Sequence, residues 1–311
     1  MNINNRVRVA KRFRLSKKER KNLTYGLLFL SPWILGFLLF ELYPVVASAV
    51  YSLCNYNGIQ DAKFVGLDNY IRLFTKDKLF YTSLYNTVFF GILSVPMSIL
   101  TSLMIAMLLN AKTRGLAFFR TVFYMPTIMP AVASTMLWLW ILNPAGGILN
   151  NLLAVFGIQG PGWFGDPRWS KPALVFISVW TAGQVMVIFL AGLQDVPEQL
   201  YESARLDGAG FFARTFKITL PMISPVIFFN LLMGIIGSFQ YFTQAYVLNP
   251  RDLGKPLNST MFYALYLYQN AFEFGKMGYA SSMAWILFVI IFSSTFIVMK
   301  VSQKFVFYDG E

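Results

Sequence analysis

The chain has 311 residues, of which 56% are hydrophobic and only 13% charged, about half the charged share of an ordinary soluble domain. A mean hydropathy of +0.54, with apolar runs long enough to match the ~20 residues a bilayer demands, excludes a soluble fold. The formal charge is +12 with no histidine, and Cys54 is the only cysteine, which excludes an internal disulfide and metal sites built on His or Cys clusters.

In a membrane chain, basic excess has a simpler cause than nucleic acid: Lys and Arg hold loops on the cytoplasmic side. No nucleic-acid partner is expected. Residues 1–22 carry nine basic residues and one acid, Glu19, and read as a solvated tail lying along anionic lipid. The membrane domain then runs over 23–311, with spans predicted at about 23–50, 84–110, 120–142, 172–194, 221–248 and 277–300. The apolar part of the first exceeds the ~7–15 residues of a signal-peptide core, so it is read as a retained helix. With both termini cytoplasmic, seventeen basic residues fall inside and nine outside.

The first outer loop contains Phe64-Val65-Gly66-Leu67-Asp68-Asn69-Tyr70, followed by a predicted interfacial helix over Ile71–Phe80 with Leu73 and Phe74 on its apolar side. The second contains a short helical patch, Ile148–Val155, and two tryptophans, Trp163 and Trp169, of the kind that mark an interface. Pro32, Pro44, Pro96, Pro126 and Pro130 each remove a backbone hydrogen bond and are expected to bend their helices. Glu41 is the one acid inside a span; a single acid near an interface reads as a partnered structural residue rather than a proton relay. In the fourth span Trp180 and Gln184 lie one turn apart.

Between the fourth and fifth spans, Asp195 to Pro221 forms a polar, charge-mixed interval. Pro197 suits a first helical turn, and Asp195 and Glu198 favour its positive end. Gly208 stops that helix by taking the left-handed backbone, and Phe211 to Lys217 can form a second. A helix-turn-helix held between two spans is built to touch something outside the membrane.

Glu202-Ser203-Ala204, Gly208 and Ile218-Thr219-Leu220-Pro221 resemble the cytoplasmic signature of ABC-type importer permeases: E-A-A, three residues, G, nine residues, I-x-L-P. Ser203 replaces the first alanine. Ser31-Pro32-Trp33, the Phe64–Tyr70 stretch, Phe118-Phe119-Arg120 and Asn230 through Tyr246 also look like the carbohydrate-uptake subgroup, so the likeness runs from about residue 25 onward. The resemblance implies an all-α polytopic membrane protein with six transmembrane helices, the type I ABC importer permease fold, with 195–220 as its coupling loop. It places Glu198, Glu202, Ser203, Ala204, Arg205, Asp207 and Gly208 at an ATPase contact, where Ala204 allows close approach and Glu202 offers a carboxylate. It also implies a second homologous permease subunit in a heterodimer, two ATPase subunits, an extracytoplasmic solute-binding protein and a sugar substrate. The setting would be a bacterial or archaeal cytoplasmic membrane. No cofactor is expected in this chain, ATP and Mg belonging to the ATPase subunits.

In the fifth span Met233, Gly237, Gln240 and Gln244 recur at helical spacing, beside Asn230, Gly234 and Tyr241. Buried amides are costly in lipid unless paired, so this face looks either to a water-filled path or to another helix. Gly234, Gly237 and Ser238 equally suit close helix packing. An amide and aromatic lining without fixed charge fits a neutral, hydroxyl-rich solute. The sequence has no G-x-x-x-x-G-K-[ST] phosphate loop. The alternatives are a secondary carrier or channel for a neutral solute and a membrane-embedded transferase. The latter would need a cluster of acids or an activated nucleophile, and no catalytic or metal-ligating residue is assigned.

Overall fold

Apolar backbone in lipid must satisfy its own N–H and C=O groups, so each apolar run becomes a helix. The computed structural model describes residues 16–111, 115–250 and 252–303. Residues 1–15 of the tail, and Lys112, Arg114, Arg251 and Lys304 among the charges counted above, lie outside that range.

The chain opens with α1 (Lys17–Phe37), a π turn (Leu38–Leu42) and α2 (Tyr43–Ser52). A two-stranded hairpin follows, β1 (Cys54–Asn55) against β2 (Lys63–Phe64), antiparallel with Cys54 opposite Phe64. Next come α3 (Asp68–Thr75), the long α4 (Lys78–Leu109), α5 (Leu116–Ile128), α6 (Ala131–Ile141) and α7 (Ile148–Val155). α8 (Pro167–Trp180) and α9 (Gly183–Gln194) lead to α10 (Glu198–Leu206) and α11 (Phe211–Arg214). A π turn (Thr215–Thr219), α12 (Leu220–Met222), α13 (Ser224–Phe239) and α14 (Thr243–Leu248) follow. After α15 (Tyr263–Tyr268) and a third π turn (Gln269–Glu273), α16 (Met277–Ser302) ends the described chain.

Three helical stretches are long and apolar enough to cross a bilayer alone: Arg20–Ser52, α4 and α16. Three more crossings are broken pairs: α5 with α6 bent by 100°, α8 with α9 by 46°, and the Phe211–Met222 stretch with α13 by 66°. Counting each pair once gives six spans. The sharpest corner has a covalent cause. Pro130 has no N–H and pushes Met129 out of the helical region, to ψ 133°, so the third crossing turns instead of running straight.

α4 is the central post. Its first half carries Phe80 and Phe90 into a core shared with Trp138, Leu174, Phe262 and Tyr263. Its second half carries Leu103, Ala106 and Leu109 into a separate core with Phe189, Leu193 and Ile223. Lipid is as apolar as leucine, so these contacts hold by fit rather than by escape from water. Glycine sets the closest approaches: a Cβ at Gly183 would lie 2.4 Å from the Phe123 carbonyl oxygen, and one at Gly234 would lie 2.8 Å from Val95 Cγ1.

At the end of α4 remote from α10, side chains tie loops to helices. Asn86 donates through Nδ2 to the carbonyls of Asn258 at 2.7 Å and Met261 at 2.9 Å, and its Oδ1 accepts from Lys171 Nζ at 3.1 Å. Asp77 caps α4 by accepting from Phe80 N–H at 3.0 Å, and it also accepts from the hydroxyls of Tyr266 and Tyr279.

Several helices differ from their sequence-based bounds. The interfacial helix expected over Ile71–Phe80 stops at Thr75, because Asp77 starts a new helix in which Phe80 is buried. The second crossing accordingly begins at Lys78 rather than Leu84. The fifth breaks after Phe239 instead of continuing to Leu248. Pro96 sits inside an uninterrupted α4, while Pro44 lies in the first turn of α2, just after the π turn. Glu41 lies exposed in that π turn, and among the described residues no hydrogen bond or ion pair reaches it, so none of them is the partner anticipated for this acid.

Candidate functional site

Two features stand out, an elbow and a cavity, at different heights along α4.

The elbow is α10, its turn and α11. Pro197 stands at the N-cap of α10 and Glu198 in its first turn. Gly208 takes φ +80°, and two backbone bonds close the end: Ala209 N–H to Ala204 O at 2.8 Å and Gly208 N–H to Arg205 O at 3.1 Å. That is a complete Schellman cap, for which a left-handed residue at position 208 is required.

Its inner side is fastened to the second core. Val196 is buried there, Tyr201 and Ile218 pack against it, and the Tyr201 hydroxyl pairs with Thr219 Oγ1 at 2.9 Å. The outward side is open. Glu202, Ser203, Arg205, Asp207 and Gly208 are exposed, Ala204 is half-buried, and Ser203 Oγ turns back to the Gln199 carbonyl at 3.0 Å. Leu206, at 90% exposure, stands among these charges with Phe211 and Phe212 nearby. Alternating charge and bare apolar surface on a rigidly backed helix fits a protein partner better than solvent.

The cavity, of about 390 Å³, lies between α4, α8, α9 and α13. Gln184, Asn230, Met233, Gly237 and Tyr241 line it. Gly237 contributes open space, since a Cβ there would meet nothing within 4 Å. Asn230 spends its Nδ2 on the Val226 carbonyl at 2.8 Å, leaving its Oδ1 as the free acceptor. Tyr241 packs its ring on Phe90 at 4.2 Å, and its buried hydroxyl has no hydrogen-bond partner. No Asp, Glu, Lys or Arg lines the cavity among the described residues.

Three of the residues singled out in the sequence lie outside it. Trp180, the last residue of α8, packs edge-on against Trp138 at 5.3 Å. Gln240 caps the broken end of α13, and Gln244 sits on α14. The i, i+4, i+7, i+11 stripe therefore does not run along one helix: it ends where Gln240 leaves helical geometry at φ −97°, ψ 12°. In exchange the cavity gains Ser94, Ser98 and Ser178. Ser94 and Ser98 are one turn apart on α4, a small-polar pair in an apolar run that was the readable signal.

Apolar helices broken within their runs, an anchored elbow and a charge-free cavity are features of a polytopic transport subunit. The sequence profile described as "Binding-protein-dependent transport system inner membrane component" matches residues 84–307, and the chain belongs to that family. It is 41% identical over 298 residues to the probable ABC transporter permease protein YesP of Bacillus subtilis (strain 168), covering 95% of this chain and 96% of that protein. It is 34% identical over 284 residues to the lactose transport system permease protein LacF of Rhizobium radiobacter, covering 90% and 94%. Among solved structures, a bacterial alginate ABC transporter in complex with an alginate pentasaccharide-bound periplasmic protein superposes with a TM-score of 0.77 over 92% of this chain and 95% of that one. At 24% identity that likeness speaks to the fold, which is the type I importer permease fold.

Proposed function

We propose that the chain forms half of the pore of an ATP-driven importer for a sugar or oligosaccharide, paired with a second, different permease subunit. The observation that carries this is the elbow: a capped helix whose back is fixed to the transmembrane core and whose exposed face carries Glu202, Ala204 and Gly208. A helix held that way transmits a push on its outer face to α4, α9 and α13. In this reading Glu198, Glu202, Ser203, Ala204, Arg205, Asp207 and Gly208 meet one of two ATPase subunits on the cytoplasmic side. The chain binds no nucleotide and catalyses no reaction; ATP and Mg²⁺ belong to the ATPase pair. An extracytoplasmic binding protein delivers the solute, and both termini face the cytoplasm of a bacterial or archaeal cell.

The cavity supports the solute class. Amide and hydroxyl groups from Gln184, Asn230, Ser94, Ser98 and Ser178 give and take hydrogen bonds, and Phe90, Phe229 and Tyr241 offer faces to sugar C–H groups. Relatives are named for lactose, trehalose/maltose and arabinooligosaccharide transport. Trp180, Gln240 and Gln244 lie close enough in sequence to the lining to contact solute in another state of the cycle.

The test is uptake in cells together with ATPase co-purification. Glu202→Lys and Gly208→Pro are expected to insert in the membrane at wild-type levels, lose the ATPase on purification and reduce uptake at least tenfold. Normal uptake by a stably inserted Glu202→Lys chain would overturn the coupling assignment.

A further inference from the structure

Behind the elbow lies a separate cavity of about 340 Å³, walled by the end of α4, α9, α10 and the α11–π segment. The only charged side chains lining it among the described residues are Arg205 and Arg214. Arg214 is half-buried, and its Nε is shut off from solvent without a hydrogen-bond partner. Arg120 brings a third guanidinium to the same end of α4, donating to the Leu109 carbonyl at 3.4 Å, and its Nε is also buried and unpartnered. Guanidinium groups cannot shed their charge, so gathering them without a counter-ion is costly. What this lining lacks is an anion with several acceptor oxygens.

We propose that the cavity is a binding site for a phosphate-class anion, either the headgroup phosphate of an anionic phospholipid or a free phosphate. Arg214 forms its inner wall and Arg205 its rim. The planar guanidinium fork matches a phosphate's oxygens two at a time, which a single carboxylate could satisfy for only one of these arginines. Asn110 lines the same cavity and adds a further donor. The site braces α10 against the π segment on the side that Tyr201 and Thr219 already tie together, so occupancy stiffens the elbow. Transport would then respond to lipid composition or to phosphate level. The inference goes beyond the transport reading, relying on it only for placing this end of the molecule in the cytoplasm.

The test measures binding, not uptake. The purified assembly is placed in nanodiscs of phosphatidylcholine alone or with phosphatidylglycerol, in phosphate-free buffer, and separately titrated with inorganic phosphate against sodium chloride at matched ionic strength. Amide exchange over residues 198–219 and thermal unfolding are followed. The expected result is saturable protection by one of the two probes, weakened roughly tenfold or more in Arg214→Gln, less in Arg205→Gln, and partly retained in Arg214→Lys. Protection by phosphatidylglycerol alone identifies a lipid headgroup; protection by inorganic phosphate identifies a free ligand. No saturable response in the wild type, or an equal response in Arg214→Gln, overturns the proposal. So does release of the ATPase by Arg214→Gln with the phosphate response unchanged, which would assign the arginine to a protein carboxylate. Failure on any of these counts leaves the transport reading standing, since that reading is tested by Glu202→Lys uptake.

Discussion

Gly237 is the residue at which cavity and helix are most easily separated. A Cβ there meets nothing within 4 Å and opens on the cavity, so Gly237→Phe is expected to fill that space. Stability should change by no more than about 1 kcal/mol, because the exchange trades glycine's helix penalty for an aromatic one. Uptake should fall tenfold or more while the unfolding temperature stays near wild type. Unchanged uptake would show that solute passes elsewhere. Gly234, one turn earlier, is the control with the opposite outcome: its neighbour Val95 would be struck at 2.8 Å, so a large side chain at 234 should lower stability first.

The helices show what a sequence gives away and what it withholds. Their existence was legible because a bilayer imposes length and hydropathy, and Gly208 was legible because few residues tolerate a left-handed cap. The break after Phe239 was not: 3.6-residue periodicity continues through Gln240 and Gln244 on paper, and only the packing of Tyr241 against Phe90 and Phe262 shows why the chain leaves the helix there. Likewise nothing local says that Asp77 ends one helix and caps the next; its partners Tyr266 and Tyr279 are far along the chain. The cavity hydroxyls Ser94 and Ser98 left one readable trace, their one-turn spacing, which is faint because serine is ordinary in an apolar run. At this scale the link between α10 and the π segment can be tested directly. Tyr201→Phe removes one hydrogen bond worth about 1 kcal/mol and should speed amide exchange across 198–206 about fivefold. Unaltered exchange there would mean that core packing alone holds the elbow.

Taken whole, the molecule is incomplete. The Arg20–Ser52 stretch is apolar along its length, yet in its most apolar window no residue is buried against the rest of the chain. Phe29 is 92% exposed and Trp33 69%. Lipid can cover such a surface, but in the proposed heterodimer part of it packs on the second permease. Cys54 is buried, so the chain offers a quiet background for thiol chemistry. A Phe29→Cys chain should cross-link to a different polypeptide through a short bifunctional maleimide, and not to itself. Exclusive self-linking would replace the heterodimer with a homodimer. A last consequence follows from the 390 Å³ cavity, whose walls carry no acidic or basic side chain charged at neutral pH among the described residues. An uncharged cargo moving past such walls carries no current. Voltage acts on a moving charge with about 2.3 kcal/mol per 100 mV, and here it has nothing to grip. Import should therefore run at the same rate in polarised vesicles and in vesicles short-circuited with valinomycin and potassium, leaving the cell free to feed through this route when its membrane potential has collapsed.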